Sequence, residues 1–145
     1  MEIRVPYGKS FLTANLPDDF AVDIIEPPRV SPAENPLEVV QSALDNLIGD
    51  VAWATFAGSR SVAIAVNDKT RPVPHQHLLP PLLGRLASLG FSDDSITFYV
   101  AVGTHPPMKP DEFGTILPDS VLRRYSVVSH DSEDNDRLTY VGETS

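Results

Sequence analysis

The sequence predicts an α/β fold: a three-layer domain with a mostly parallel central sheet and a short antiparallel N-terminal hairpin. Three observations predict it. The β-rich runs Ser61-Val62-Ala63-Ile64-Ala65-Val66 and Ile96-Thr97-Phe98-Tyr99-Val100-Ala101-Val102 flank an apolar helical stretch. That is the strand–helix–strand alternation of a parallel layer. The first run is continuous, as expected of a strand buried on both faces. Both runs end in polar turns closed by proline, Asn67-Asp68-Lys69-Thr70-Arg71-Pro72-Val73-Pro74 and Gly103-Thr104-His105-Pro106-Pro107. Open α/β sheets gather ligand groups at such strand ends.

Each element follows in order. Residues 2–6 and 10–14 read as a hairpin turning at Gly8, and Ala21–Ile25 as a third short strand. Pro27, Pro28 and Pro32 impose an extended connector. Asn35-Pro36 starts a helix, with Asn as cap and Pro in the first turn. Leu37, Val40, Leu44 and Leu47 continue at helical spacing to a stop at Gly49. Residues 50–60 read as a loop or short helix. A helix over 75–89 ends at Gly90, and Pro80-Pro81 require it to begin near Pro80 or to kink there. After the strand at 95–102, Lys109–Leu117 and Asp119–Tyr125 read as one or two short helices. Ser126–Ser129 and Leu138–Val141 read as closing strands. No linker or repeat divides residues 1–145, which read as one domain. Right-handed crossovers would set the Asp68–Arg71 and Thr104-His105 turns side by side on one sheet edge.

Composition bounds the function. The chain has 145 residues, 41% of them hydrophobic and 21% charged, enough for a folded core. The net charge of −9 argues against nucleic acid and anionic membranes as partners. A small anion at a local cationic spot is compatible with it. The absence of cysteine rules out disulfides, zinc–thiolate sites and cysteine nucleophiles within this chain, and suits a reducing cytosol. No apolar run approaches the roughly 20 residues of a membrane span, and no signal-peptide pattern opens the chain. A cytoplasmic location is therefore expected.

Arg71 is the leading candidate, because a guanidinium grips a carboxylate or phosphate with two parallel hydrogen bonds. An ion pair with Asp68 that merely ties the turn is the equal alternative. Asp68 and Thr70 read either as ligand-facing groups or as turn caps, and Lys69 as a solvated charge. His105, held between a glycine turn and two prolines, reads as a general acid/base or as an ordinary surface histidine. His75 and His77 have the wrong spacing for a helical metal pair and read as incidental. Ser129-His130-Asp131 is too contiguous to form a triad, which must converge from separate elements. No glycine-rich phosphate loop is present.

Asp68-Lys69-Thr70-Arg71-Pro72-Val73-Pro74, Gly103-Thr104-His105-Pro106 and His130-Asp131 together resemble the N-terminal part of the nickel-pincer lactate racemase family. The resemblance covers the chain from about residue 60 onward, and more weakly from the first strand. It implies a two-domain racemase or epimerase of 2-hydroxy acids, roughly three times this length, with a nickel-pincer nucleotide between the domains. By that likeness Arg71 anchors the substrate carboxylate, and Asp68 and Thr70 stand beside the cofactor. His105 is then one of two histidines that exchange the hydroxyl proton as hydride leaves the α-carbon. The family's second catalytic histidine, its cofactor-bound lysine and its nickel-ligating histidine have no match here. His75 and His77 lie on the wrong element to replace them. The expectation is half a site, inactive alone, completed by a C-terminal half or an oligomeric partner. The alternative is a non-catalytic shortened homologue that binds a small carboxylate or phosphate, or a partner chain.

Overall fold

The computed structural model describes residues 1–143 and divides the chain into two compact units, Met1–Pro32 and Ala33–Ser145. The first unit is a hairpin. Strands β1 (Glu2–Tyr7) and β2 (Ser10–Asn15) pair antiparallel, with Ile3 opposite Ala14 and Val5 opposite Leu12. The expected strand at Ala21–Ile25 does not form, and Ile24 and Ile25 are exposed. β-branched residues favour a strand only where a neighbour pairs with it, and this segment has none.

In the second unit the first helix, α1 (Pro36–Asp45), starts where Asn35 Oδ1 accepts from the Glu38 N–H. It stops before Gly49. Asn46 turns its side-chain amide back onto the Ser42 carbonyl and closes the helix there. Trp53–Phe56 form a short 3-10 turn, and the Trp53 indole N–H reaches the Leu44 carbonyl. The sheet follows as β3 (Val62–Asn67), β4 (Ile96–Ala101) and β5 (Ser126–Ser129), all parallel, with β4 central. Helix α2 (His75–Ser88) joins β3 to β4 and runs through Pro80 and Pro81 from a start at His75. Leu79 and Leu86, buried on either side of the pair, hold the helix although each proline removes a backbone hydrogen bond. A 3-10 turn (Pro110–Thr115) and helix α3 (Asp119–Leu122) join β4 to β5.

The predicted α/β class forms, a parallel sheet with an N-terminal antiparallel hairpin, but among the described residues helices cover one face of the sheet, so the expected third layer is not observed. The core lies between the sheet and α2, the 3-10 turn and α3, and is centred on the fully buried Phe98 and Val100. Burial on both faces is not observed for β3. Val66 is buried and Val62 and Ile64 half-buried, while Ala63 and Ala65 are exposed, as are Tyr99 and Val128 on the same sheet face. Strand order β3-β4-β5 follows chain order, so right-handed crossovers carry both connections across one face. The expected strand at Leu138–Val141 is also absent. It follows a 3-10 turn at Asn135–Arg137, and Tyr140 and Val141 stand exposed without a strand partner.

Candidate functional site

The site begins at the carboxyl end of β3. Asp68 is only 5% exposed, and a buried carboxylate needs hydrogen-bond partners to stay ionised. Its own turn supplies two of them. The Thr70 N–H and hydroxyl donate to Oδ1 at 3.0 and 2.7 Å. The Arg71 N–H closes the turn on the Asp68 carbonyl at 3.1 Å.

The third partner comes from the next strand. Parallel register sets Asn67 opposite Ala101, which brings the turns after β3 and β4 together. Gly103 sits at φ +62°, and the His105 N–H returns to the Val102 carbonyl at 3.1 Å. This tight turn aims the imidazole back at β3, where Nδ1 lies 2.6 Å from Asp68 Oδ2. Hydrogen bonds from His105 and then Thr70 hold the Asp68 carboxyl down at about 2, against a reference of 3.8. Ionised, Asp68 only accepts, so His105 carries a proton on Nδ1 and presents Nε2 away from the pair. The His105 side chain is 53% exposed, leaving Nε2 accessible.

With both Asp68 oxygens engaged, the Asp68–Arg71 ion pair does not form. Among the described residues the Arg71 guanidinium has no hydrogen-bond or salt-bridge partner. It lines a concavity of about 460 Å³ with Asp68, Lys69, His75 and Thr115. Asp68 therefore borders the Arg71 concavity and holds His105. On its other side His105 lines a smaller depression of about 160 Å³ with Thr104, Asp131 and Glu133.

The remaining candidates sort by their contacts. The Thr70 hydroxyl is committed to Asp68. Lys69 is an exposed cation paired with Glu112, whose carboxyl the Lys69 hydrogen bond lowers. Ser129-His130-Asp131 makes no relay. Ser129 Oγ accepts from the Met108 N–H, the His130 N–H bonds the Val100 carbonyl, and Asp131 accepts from the Glu133 N–H. His75, read from sequence as incidental, is buried beside Arg71, and its Nδ1 lies 2.8 Å from the Ile116 carbonyl. A signal for it was its place directly after Pro74, where the turn enters α2. Among the described residues no three His, Asp or Glu side chains gather closely enough to hold a metal ion.

Comparison with known proteins identifies the family. Residues 7–145 match the family described as lactate racemase N-terminal domain. The chain belongs to that family. It is 31% identical to the lactate racemase of Lactiplantibacillus plantarum over 146 residues, and 30% identical to that of Thermoanaerobacterium thermosaccharolyticum over 143. Both alignments cover 97% of this chain but 34% and 33% of those proteins, so the chain spans about a third of the length of these curated relatives. The solved structure of the T. thermosaccharolyticum lactate racemase apoprotein superposes with a TM-score of 0.77 at 28% identity, over 98% of this chain and 33% of that one. The chain thus corresponds to the N-terminal domain of this family, and the Asp68–Pro74 and Gly103–His105 turns lie within the matched residues.

Proposed function

We propose that this lactate racemase N-terminal domain forms one side of a 2-hydroxy-acid racemase or epimerase site. One observation carries the reading. The Asp68–His105 hydrogen bond fixes a histidine base, and the same Asp68 borders the concavity of an arginine that has no partner among the described residues. The Arg71 fork holds the substrate carboxylate through two charge-assisted hydrogen bonds. His105 Nε2 would hold the α-hydroxyl proton while a hydride acceptor supplied by a further segment oxidises the α-carbon, and would give it back when the hydride is returned. Asp68 keeps the ring in one tautomer and stabilises the imidazolium while that proton is held. Thr70 keeps Asp68 in place.

The hydride acceptor implied by the family resemblance is a nickel-pincer nucleotide. The residues described here do not fit the holding of its metal: no ligand cluster forms, and the polar groups of Asp68 and Thr70 are engaged with each other and with His105. The proposed partners are therefore a small 2-hydroxy acid and a further protein segment, carried by the same polypeptide or by another chain. By itself the chain binds the acid without racemising it. A cytoplasmic location accords with its lack of cysteine.

The test is a titration of the chain with L-lactate, followed by the Arg71 side-chain and His105 imidazole resonances. Both should shift, and Arg71→Met should weaken binding by about tenfold or more, the scale of a lost charged hydrogen bond. Lactate binding that survives Arg71→Met would refute the anion site. Racemisation by the chain alone would refute its dependence on a further segment.

A further inference from the structure

His75 is the one buried histidine among the described residues, and the reaction above does not use it. It opens α2 directly after the Arg71 turn and is 5% exposed. Its Nδ1 lies 2.8 Å from the Ile116 carbonyl oxygen. A carbonyl only accepts, so Nδ1 carries the proton and Nε2 of the neutral ring is an acceptor. Among the described residues every fully buried side-chain nitrogen or oxygen has a partner. Nε2 has none among the described residues, so it is not fully buried, and the concavity that His75 lines is the one it shares with Arg71.

That concavity is lined by two complementary groups, a cationic fork and an imidazole whose Nδ1 the Ile116 carbonyl engages from behind. Its volume of about 460 Å³ leaves room beyond a three-carbon acid, since pockets of roughly 300–1,000 Å³ enclose far larger ligands. The matching ligand carries an anion for Arg71 and a separate hydrogen-bond donor for Nε2. A hydroxyl fits better than an ammonium, because Arg71 would repel a second cation in the same concavity.

We propose that Nε2 of His75 accepts a hydrogen bond from a second hydroxyl of the bound acid, so that the site prefers a 2-hydroxy acid bearing a further hydroxyl on its chain to lactate. The inference rests on the reading of Arg71 as the carboxylate anchor. Glycerate and lactate differ by that one hydroxyl and are the probes.

In NMR titrations of the 145-residue chain, glycerate should bind about 2- to 10-fold more tightly than lactate, the scale of one neutral hydrogen bond. The ¹⁵N resonance of His75 Nε2 should move with glycerate and hold still with lactate. His75→Asn keeps a side-chain N–H for the Ile116 carbonyl and deletes Nε2. It should bring the two affinities together and leave lactate binding intact. Equal affinities in the unaltered chain, an unmoved Nε2, or a glycerate preference that survives His75→Asn overturns the inference. If His75→Asn does not fold, the Nε2 resonance of the unaltered chain decides. Binding of both acids that ignores Arg71→Met defeats the anchor reading. Arg71-dependent binding without a glycerate preference defeats the role of His75 alone. Failure of both acids to bind defeats both.

Discussion

Asp68 is a carboxylate whose two oxygens are fully engaged, one within its own turn and one on His105. Folding favours its ionised form, so its value falls from 3.8 to about 2. The sign follows: the stabilisation is complete above 3.8 and is lost as the pH falls toward 2. A ¹³C titration of the Asp68 carboxyl should give a midpoint near 2, with the His105 Nδ1 proton signal disappearing over the same range. Thr70→Val, which removes the hydroxyl bond and keeps the backbone one, should move that midpoint back toward 3.8. A midpoint unchanged by Thr70→Val would show that the Thr70 hydroxyl does not contribute to it. At this scale the sequence was legible in part. Residue types named Arg71, Asp68 and His105, because charge and proton-transfer chemistry belong to the side chain. Whether Arg71 paired with Asp68 was not legible, since either partner of Asp68 satisfies the same spacing. The burial of His75 was not legible for a related reason. Its significance lies in burial against Ile116, 41 residues away in sequence, which local pattern does not register.

Turns and helix ends do most to place these side chains. Helix α2 stops where the sequence predicts, in a double hydrogen-bonded cap. The Gly90 N–H bonds the Ala87 carbonyl and the Phe91 N–H the Leu86 carbonyl, with Gly90 at φ +92°. Gly103 does the corresponding work after β4. A side chain there would meet no atom within 4 Å, but φ +62° strains any L-residue. Gly103→Ala should therefore cost about 1–2 kcal/mol of stability through the backbone alone. Denaturant unfolding measures it, and Gly103→Asn should cost less because Asn tolerates this conformation. Equal losses for Ala and Asn would point to a clash instead of backbone strain. Local chemistry made these ends legible, as it did the Asn35 cap. It misplaced the end of α1, because the Asn46 side chain closes that helix before Gly49. The strands expected at Ala21–Ile25 and Leu138–Val141 were misread because a strand is defined by its neighbour as much as by its residues.

At the scale of the molecule, Phe98 on the central strand is completely buried and meets Tyr125 edge-to-face at 5.6 Å between ring centres. Phe98→Ala should cost about 3–5 kcal/mol, a large share of the 5–15 kcal/mol typical of a domain. Thermal unfolding followed by calorimetry would show it, and a loss below about 1 kcal/mol would mean that the core does not close around this residue. The sequence by itself determined the strand–helix alternation, the turn chemistry at two strand ends and the kind of side chain each turn carries. Those properties follow from local propensity and from the chemistry of individual groups. Only the tertiary structure decided that Asp68 serves His105 and leaves Arg71 unpaired among the described residues, that His75 borders the same concavity as Arg71, and that one face of β3 stays open. Each of these depends on parallel register and strand order, which bring together residues that are far apart in the chain.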